Sequence, residues 1–408
     1  MSFFKQTIRD VPIGNHTVLV RADYNVPLDS KGNISDDLRI KASIPTIEYL
    51  LKRGCKVVII SHLGRPKGRE KKYSLEPVAE RLAKLLKRDV RFVSDTVGDR
   101  VYQAVKRAPK ISVIMLENLR FYAQEEANDH DFAMNIVKST GARFFVQDGF
   151  GVVHRAHAST DAIEMCVPGV AGLLLEHEYT TITRAMESPK RPLVAIMGGA
   201  KISDKIHLVE RFVGIADKII IGGAMANTFL AYKGVSVGAS MYEDDQKKVL
   251  DKIYKAVREK VGEDNVDDFI VLPTDVAVAK KIDASSKRRV VSIKDIEADD
   301  IILDTGDKSI EKNVKLTADA ATVIWNGTMG YAELPEFSHG SARIALMLAS
   351  SPKITSIIGG GDTSDFVLKW SGGNDKSFSH VSTGGGASLE LMAGKKLPGI
   401  ECLLDARG

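Results

Sequence analysis

The stretch ITSIIGGGDTSDFVLKW, Ile354–Trp370, carries the fold in miniature. Ile354–Ile358 is a short apolar, β-branched run of the kind buried on both faces of a parallel sheet. Gly359-Gly360-Gly361 ends it, and Asp362-Thr363 opens a helix-like stretch. Strand, glycine turn and helix in this order form the repeating half of a βαβ unit. The same order recurs around it. Leu193–Met197, Lys218–Ile221, Phe269–Leu272 and Ala321–Trp325 read as strands, each ending at Gly, Pro, Asn or Asp. Upstream, His16–Ala22, Lys56–Ile60, Ile111–Leu116 and Ala142–Gln147 are further strands. Helical spacing appears over Ser43–Arg53, ending at Gly54, and over Leu75–Lys87, with Pro77 in the first turn. The expected fold class is therefore α/β, with parallel sheets flanked by helices.

A chain of 408 residues exceeds one ordinary core, so two lobes are expected. The boundary falls between Gly172 and Leu193, where LLLEHEYTTITRAMES reads as one connecting helix. This divides the chain into a first lobe over 1–172, a helix and linker over 173–192, and a second lobe over 193–398. Three scattered cysteines, Cys55, Cys166 and Cys402, show neither metal spacing nor a disulfide framework. No apolar run is long enough for a membrane span, and MSFFKQTIRD lacks a signal-peptide core, so the expected location is the cytoplasm.

Residues 1–175 carry 27 Lys+Arg against 20 Asp+Glu, a net of +7; residues 176–408 carry 30 against 33, a net of −3. A basic first half suits an anionic metabolite. Aromatics make up only 6% and acids interrupt the basic residues, which argues against a nucleic-acid partner.

In open α/β sheets, ligands gather beyond the carboxyl ends of the strands. In the first half this edge repeatedly carries arginine and histidine: Arg21-Ala22-Asp23-Tyr24-Asn25, Ser61-His62-Leu63-Gly64-Arg65, Glu117-Asn118-Leu119-Arg120, and His154-Arg155-Ala156-His157. Each alone reads as a loop with a surface ion pair; their recurrence at one edge points to a small, multiply charged anion. His62, His154 and His157 have no acidic or cysteine partners at metal-ligand spacing. In the second half glycine takes over. Gly198-Gly199-Ala200-Lys201-Ile202-Ser203-Asp204-Lys205 places two lysines on one face near a helix start, where a phosphate is also favoured. Gly222-Gly223, Gly359-Gly360-Gly361 and Gly384-Gly385-Gly386 expose backbone N–H groups suited to a polyphosphate. Asp362 is a candidate Mg²⁺ carboxylate. No segment fits GxxxxGK[ST], and no GxGxxG with a following acid is well placed, which disfavours an NAD-dependent dehydrogenase. A two-lobed protein that clamps an anion without turnover explains the arginines but not the lysine pair, the triple glycines and Asp362 together.

These segments resemble the phosphoglycerate kinase family. The likeness runs in order through RADYNVP (Arg21–Pro27), Arg39, SHLGRPKG (Ser61–Gly68), LENLRF (Leu116–Phe121), HRAHAST (His154–Thr160), GGAKISDKI (Gly198–Ile206), GGAMANTFL (Gly222–Leu230), WNGTMG (Trp325–Gly330), GGGDTSD (Gly359–Asp365) and STGGGASLELMAGKKLPGIE (Ser382–Glu401). It implies two Rossmann-like lobes facing each other across a cleft and joined by a hinge helix, with the tail from about Gly399 returning to the first lobe. It implies an ATP:3-phosphoglycerate 1-phosphotransferase of glycolysis and gluconeogenesis that is Mg²⁺-dependent and monomeric, closing its lobes for direct in-line transfer. The phosphoglycerate would meet Asp23, Asn25, Arg39, His62, Leu63, Gly64, Arg65, Arg120 and Arg155. ATP or ADP would meet Gly199, Ala200, Lys201, Lys205, Gly222, Gly223, Asn326, Glu333, Gly360, Gly361, Asp362, Thr363, Gly384, Gly385 and Gly386. Arg39, Lys201, Gly361 and Gly384 would serve catalysis, and Asp362 the metal. The chain departs from the family pattern at Asp148–Val153, at Thr328 in place of a usual proline, at Tyr331-Ala332 before Glu333, and in Glu176–Arg184.

Overall fold

The computed structural model describes residues 3–407 and divides into two compact units. The first runs to Thr181 and regains the chain from Lys395 onward; the second spans Ile182–Gly394. The chain passes from one to the other within the helix Leu173–Glu187.

In the first unit, β1 (Thr17–Arg21), β2 (Lys56–Ile60), β3 (Val90–Val93), β4 (Val113–Leu116), β5 (Phe144–Gln147) and β6 (Gly169–Ala171) form one parallel sheet in the order β3-β4-β2-β1-β5-β6. Alternate residues enter different cores. Val18, Val20, Val57 and Ile59 pack with Ile40, Ile47 and Leu50 of the helix Leu38–Lys52 on one face. Leu19, Val58, Ile60 and Phe145 pack with Val101, Ala104 and Ile136 on the other. That two-sided burial is why these strands are unbroken apolar runs. The tail is part of this unit: Gly399 N–H donates to the Val153 carbonyl (2.9 Å), and Gln6 N–H to that of Leu404 (2.7 Å).

The second unit holds β7 (Leu193–Met197), β8 (Lys218–Ile221), β9 (Ile270–Val271), β10 (Asp275–Ala279), β11 (Arg289–Ser292), β12 (Ile301–Thr305), β13 (Thr322–Asn326), β14 (Thr355–Gly359) and β15 (His380–Val381). Six make a parallel sheet, β15-β14-β13-β7-β8-β9. The other three form an antiparallel sheet, β11-β10-β12.

Both large sheets change direction of progression once, between β1 and β5 in the first and between β7 and β13 in the second. Adjacent connections leave these points in opposite directions, which opens a crevice at the carboxyl edge. Arg21 ends β1, and Asn326 ends β13.

The α/β class stands as expected. The first helix differs in extent: it begins at Leu38 rather than Ser43 and takes Pro45 inside, giving up one internal N–H donor. The edge strands β3 and β11 are the least buried; β3 buries only Val93, and β11 has no buried residue. Among the described residues no helix is long and apolar enough to cross a membrane.

Candidate functional site

The first unit gathers positive charge at the end of β1. Arg21 is buried; its Nε donates to Ser159 Oγ (2.9 Å) and a terminal nitrogen donates to His62 Nδ1 (3.2 Å). Arginine has no acceptor, so this contact puts the His62 proton on Nε2 in the neutral ring. Ser159 in turn donates to Glu125 Oε1 (2.6 Å), a buried carboxylate that balances Arg21. Arg39, from the first turn of Leu38–Lys52, donates to Asp23 Oδ2 and to the Asn25 carbonyl, both at 3.0 Å. Asn25 Oδ1 accepts from Gly64 N–H (2.8 Å). Arg120 donates to the Gly64 carbonyl (2.7 Å) and pairs through Nε with Glu126 (3.1 Å). Asn118 holds the Leu63 carbonyl (2.8 Å).

The histidines report the resulting field. Burial first, then the charges of Arg21, Arg120, Arg39 and Arg155, hold His62 well below its ordinary value. Burial, with Arg120 and Arg21, pushes His157 down to about 4. Arg65 is exposed, and its charge is felt at Arg120. Asp23, Asn25, Arg39, His62, Leu63, Gly64, Arg65, Arg120 and Arg155 thus share one neighbourhood of excess positive charge. The sequence reading placed Arg21 at this edge but gave it no partner. Of the partners that hold it, Ser159 lies within HRAHAST, whereas Glu125 comes from the short helix Ala123–Glu126 and carried no signal of its own.

The second unit builds its site from backbone. β7 and β13 run side by side, so the turns after them touch. Gly198 N–H donates to the Asn326 carbonyl (2.8 Å), Gly199 N–H to Thr328 (3.0 Å) and Gly223 N–H to Met329 (2.8 Å). A Cβ on Gly198 would fall 2.1 Å from the Thr328 carbonyl, and Gly223 adopts φ +61° against Gly199. These two positions require glycine. Lys205 Nζ donates to the Gly198 carbonyl (2.8 Å), and burial pushes this lysine down to about 8 against the pull of Asp362 and Asp204. Thr363 Oγ1 accepts from Gly327 N–H (2.6 Å), and Asn326 Nδ2 donates to the Gly359 carbonyl (2.8 Å). Gly360, at φ +94°, accepts its neighbour Asn326 because it has no Cβ. Gly361 and Asp362 open the helix Gly361–Trp370.

Beside these turns lies a cavity of about 420 Å³. Gly199, Ala200, Gly223, Glu333 and Asp362 line it, together with Asn227 of the GGAMANTFL stretch and with Met241, Pro273 and the β12 segment 301–305, which the sequence did not single out. The small antiparallel sheet is therefore the wall of the cavity.

One expectation needs correction. Lys201 and Lys205 do not share a helix face, because the helix begins only at Ile206. The Glu243 carboxylate takes the N–H groups of Ile202 (2.7 Å) and Ser203 (3.1 Å), and Ser203 Oγ as well (2.5 Å). This carboxylate holds the segment as a turn, with Lys201 exposed upon it. Gly222 packs against Met329 rather than lining the cavity. Gly384, Gly385 and Gly386 do not line it either; Gly386 opens the short helix Gly386–Met392, and Ser388 Oγ accepts from Gly360 N–H (3.3 Å).

Two α/β units, one presenting a cluster of arginines and the other a glycine-built floor beside an apolar cavity, define a phosphotransferase-like architecture without a Walker A loop. The phosphoglycerate kinase family model matches residues 8–395. The chain is 45% identical over 407 residues to a phosphoglycerate kinase of Chloroflexus aurantiacus, covering 98% of this chain and 99% of that one. It is 42% identical over 398 residues to one of Dictyoglomus turgidum, covering 98% of each. Its structure superposes on that of phosphoglycerate kinase from Coxiella burnetii with a TM-score of 0.82 at 36% identity, covering 98% of both chains. The chain belongs to the phosphoglycerate kinase family.

Proposed function

We infer that this protein catalyses reversible transfer of a phosphoryl group between 1,3-bisphosphoglycerate and ADP, giving 3-phosphoglycerate and ATP, as its family does in glycolysis. In the forward direction the bond from the acyl oxygen to phosphorus breaks. A new bond forms between phosphorus and a terminal oxygen of ADP. No proton moves, so no general base is required. This accounts for a first unit in which burial and the surrounding arginines hold His62 and His157 below their ordinary value rather than pairing them for proton transfer.

The arginine cluster is the observation that carries the substrate assignment. We assign Arg39, Arg65, Arg120 and Arg155, with Asp23, Asn25, His62, Leu63 and Gly64, to the phosphoglycerate. Asp23 and Asn25 suit the hydroxyl, and the guanidinium groups suit the phosphate and carboxylate. Lys205, the Gly198–Lys201 turn, Gly222-Gly223, Gly360–Thr363 and Gly384–Gly386 are assigned to the nucleotide. The cavity takes the base, with Glu333 at the ribose. Arg39, Lys201, Gly361 and Gly384 are the proposed neutralising groups around the transferring phosphoryl.

The residues present also fit Mg²⁺. Asp362 supplies a carboxylate, and Asn326 Oδ1 is a buried oxygen with no hydrogen-bond partner. Hard oxygen donors of this kind, completed by phosphate oxygens, suit that ion, which would neutralise phosphate charge. With one substrate on each unit, transfer demands that the two meet with water excluded, and the helix Leu173–Glu187 is the proposed hinge. The protein is read as a cytoplasmic monomer.

A coupled assay with 3-phosphoglycerate and MgATP, following ADP release, tests the assignment. Turnover dependent on both substrates is expected. Binding of both without turnover would instead identify an anion clamp.

A further inference from the structure

The helix Leu173–Glu187, in which the chain passes from one unit to the other, begins without a cap of its own. The residues before it are Val167-Pro168-Gly169-Val170-Ala171-Gly172, with no Ser, Thr, Asp or Asn to take the free N–H groups of its first turn. Two side chains from distant segments take them instead. Thr46, in the helix Leu38–Lys52, accepts from Leu173 N–H at 3.0 Å. Asp148, directly after β5, accepts from Leu174 N–H through Oδ1 at 3.0 Å, and the Thr46 hydroxyl donates to the same oxygen at 3.0 Å. A Cβ on Gly172 would fall 2.0 Å from Asp148 Oδ1, so the approach of this carboxylate also dictates the glycine.

Asp148 is fully buried and is bound on two sides. Its own N–H donates to the Arg21 carbonyl at 2.9 Å, at the end of the strand where the arginines gather. Its side chain holds the helix start. We propose that Asp148 is a positioning residue for phosphoryl transfer, acting through the first N–H groups of the helix Leu173–Glu187 to fix how that helix leaves the arginine-bearing edge of the first unit. The proposal rests on reading this helix as the hinge.

The carboxyl also responds to pH. Its Oδ2 is buried with no hydrogen-bond partner, so ionisation puts charge on an oxygen that nothing receives. Burial, opposed by the Thr46 hydroxyl and the N–H groups of Leu174 and Leu175, pushes Asp148 up to about 7. The ionisable groups on the surrounding segments are otherwise occupied or neutral. Tyr24, from the loop after β1, is held well above its ordinary value and donates to or accepts from Ser43. Arg21 turns its guanidinium to Ser159 and His62. On the helix itself Glu176 pairs with Arg9, and Glu178 is buried. Once ionised, Asp148 grips the positive end of the helix more strongly than the neutral acid does.

Asp148→Ala removes the acceptor and should lower kcat by about tenfold. The KM values for 3-phosphoglycerate and MgATP should stay within about twofold, because the side chain belongs to neither proposed ligand set. Asp148→Asn keeps an oxygen for Leu174 N–H and should restore kcat at pH 6. The ratio of wild-type kcat to Asp148→Asn kcat should then rise between pH 6 and pH 8, with its midpoint near 7. Taking the ratio cancels groups that titrate in both proteins. A ratio that stays flat, or an Asp148→Ala variant that loses KM and keeps kcat, overturns the proposal. The Asn variant is close in shape to the native residue, so a poorly folded Ala variant does not remove the test. Small-angle X-ray scattering with 3-phosphoglycerate and MgADP, a pair that cannot turn over, separates the two levels. The wild type is expected to contract when both are bound. No contraction overturns the hinge reading itself; contraction with a flat kcat ratio overturns only the role of Asp148.

Discussion

On the proposed assignment, the two units hold phosphate with opposite materials. The first unit uses side chains: Arg21, Arg39, Arg120 and Arg155 carry formal charge onto the edge of a sheet, and Asp23, Glu125 and Glu126 brace them. The second uses main chain: glycines at 198, 199, 223 and 360 strip the turns to backbone, and a partly buried lysine, Lys205, stands among them. A compact anion with little surface rewards forks of fixed charge. A polyphosphate with an attached base rewards close approach of N–H groups and an apolar slot. The largest test of this contrast falls on Arg39. It is held by Asp23 and the Asn25 carbonyl yet remains partly exposed, so its charge is available to a transferring phosphoryl group. Arg39→Ala should lower kcat by about a hundredfold or more, read in steady-state assays with the fold checked by circular dichroism. A kcat near that of the wild type would break the claim that the first unit contributes charge to the reaction.

A second test addresses the lone lysine. Burial holds Lys205 at about 8, so in the free protein it loses its proton as pH rises past that point. Phosphates beside it would raise that value, and binding above pH 8 must then take up a proton. Nucleotide affinity should fall by up to about tenfold per pH unit there. Calorimetry in buffers of different ionisation enthalpy would read the proton uptake. Lys205→Arg, whose guanidinium stays charged, should flatten the dependence. An affinity flat to pH 9 in the wild type would show that the backbone alone binds the phosphates.

The contrast also explains what could be read from the sequence. Glycine clusters and arginines at strand ends are local signals, and Gly223, Gly360 and Asp362 were legible because a βα turn places its own residues at the sheet edge. The strands were legible for a related reason: Lys56–Ile60, Leu193–Met197 and Lys218–Ile221 are buried on both faces and carry no polar interruption. What escaped were residues placed by distant packing. Glu243 reaches back to Ile202 and Ser203 from another loop and undoes the helix start that the lysine spacing suggested. It has no spacing rule, because it depends on a contact between segments rather than on one segment's pattern.

The smallest effect belongs to the field inside the first unit. His157 is held at about 4, by burial first and then by Arg120 and Arg21, against an ordinary value of 6.5. Between those values the unfolded chain binds a proton that the folded chain refuses, so this histidine's contribution to stability is present above about pH 6.5 and lost as pH falls towards 4. The ring is only partly buried, and solvent screening keeps the contribution modest. His157→Gln should therefore lessen the loss of thermal stability between pH 7 and pH 5. A bound phosphoglycerate would offset the arginine charge that depresses the imidazole, so NMR titration of His157 should move upward on adding 3-phosphoglycerate and stay in place on adding nucleotide. An imidazole that ignores the phosphoglycerate would mean that the anion lies elsewhere on the unit. One that responds equally to nucleotide would mean that the two units do not divide the ligands between them.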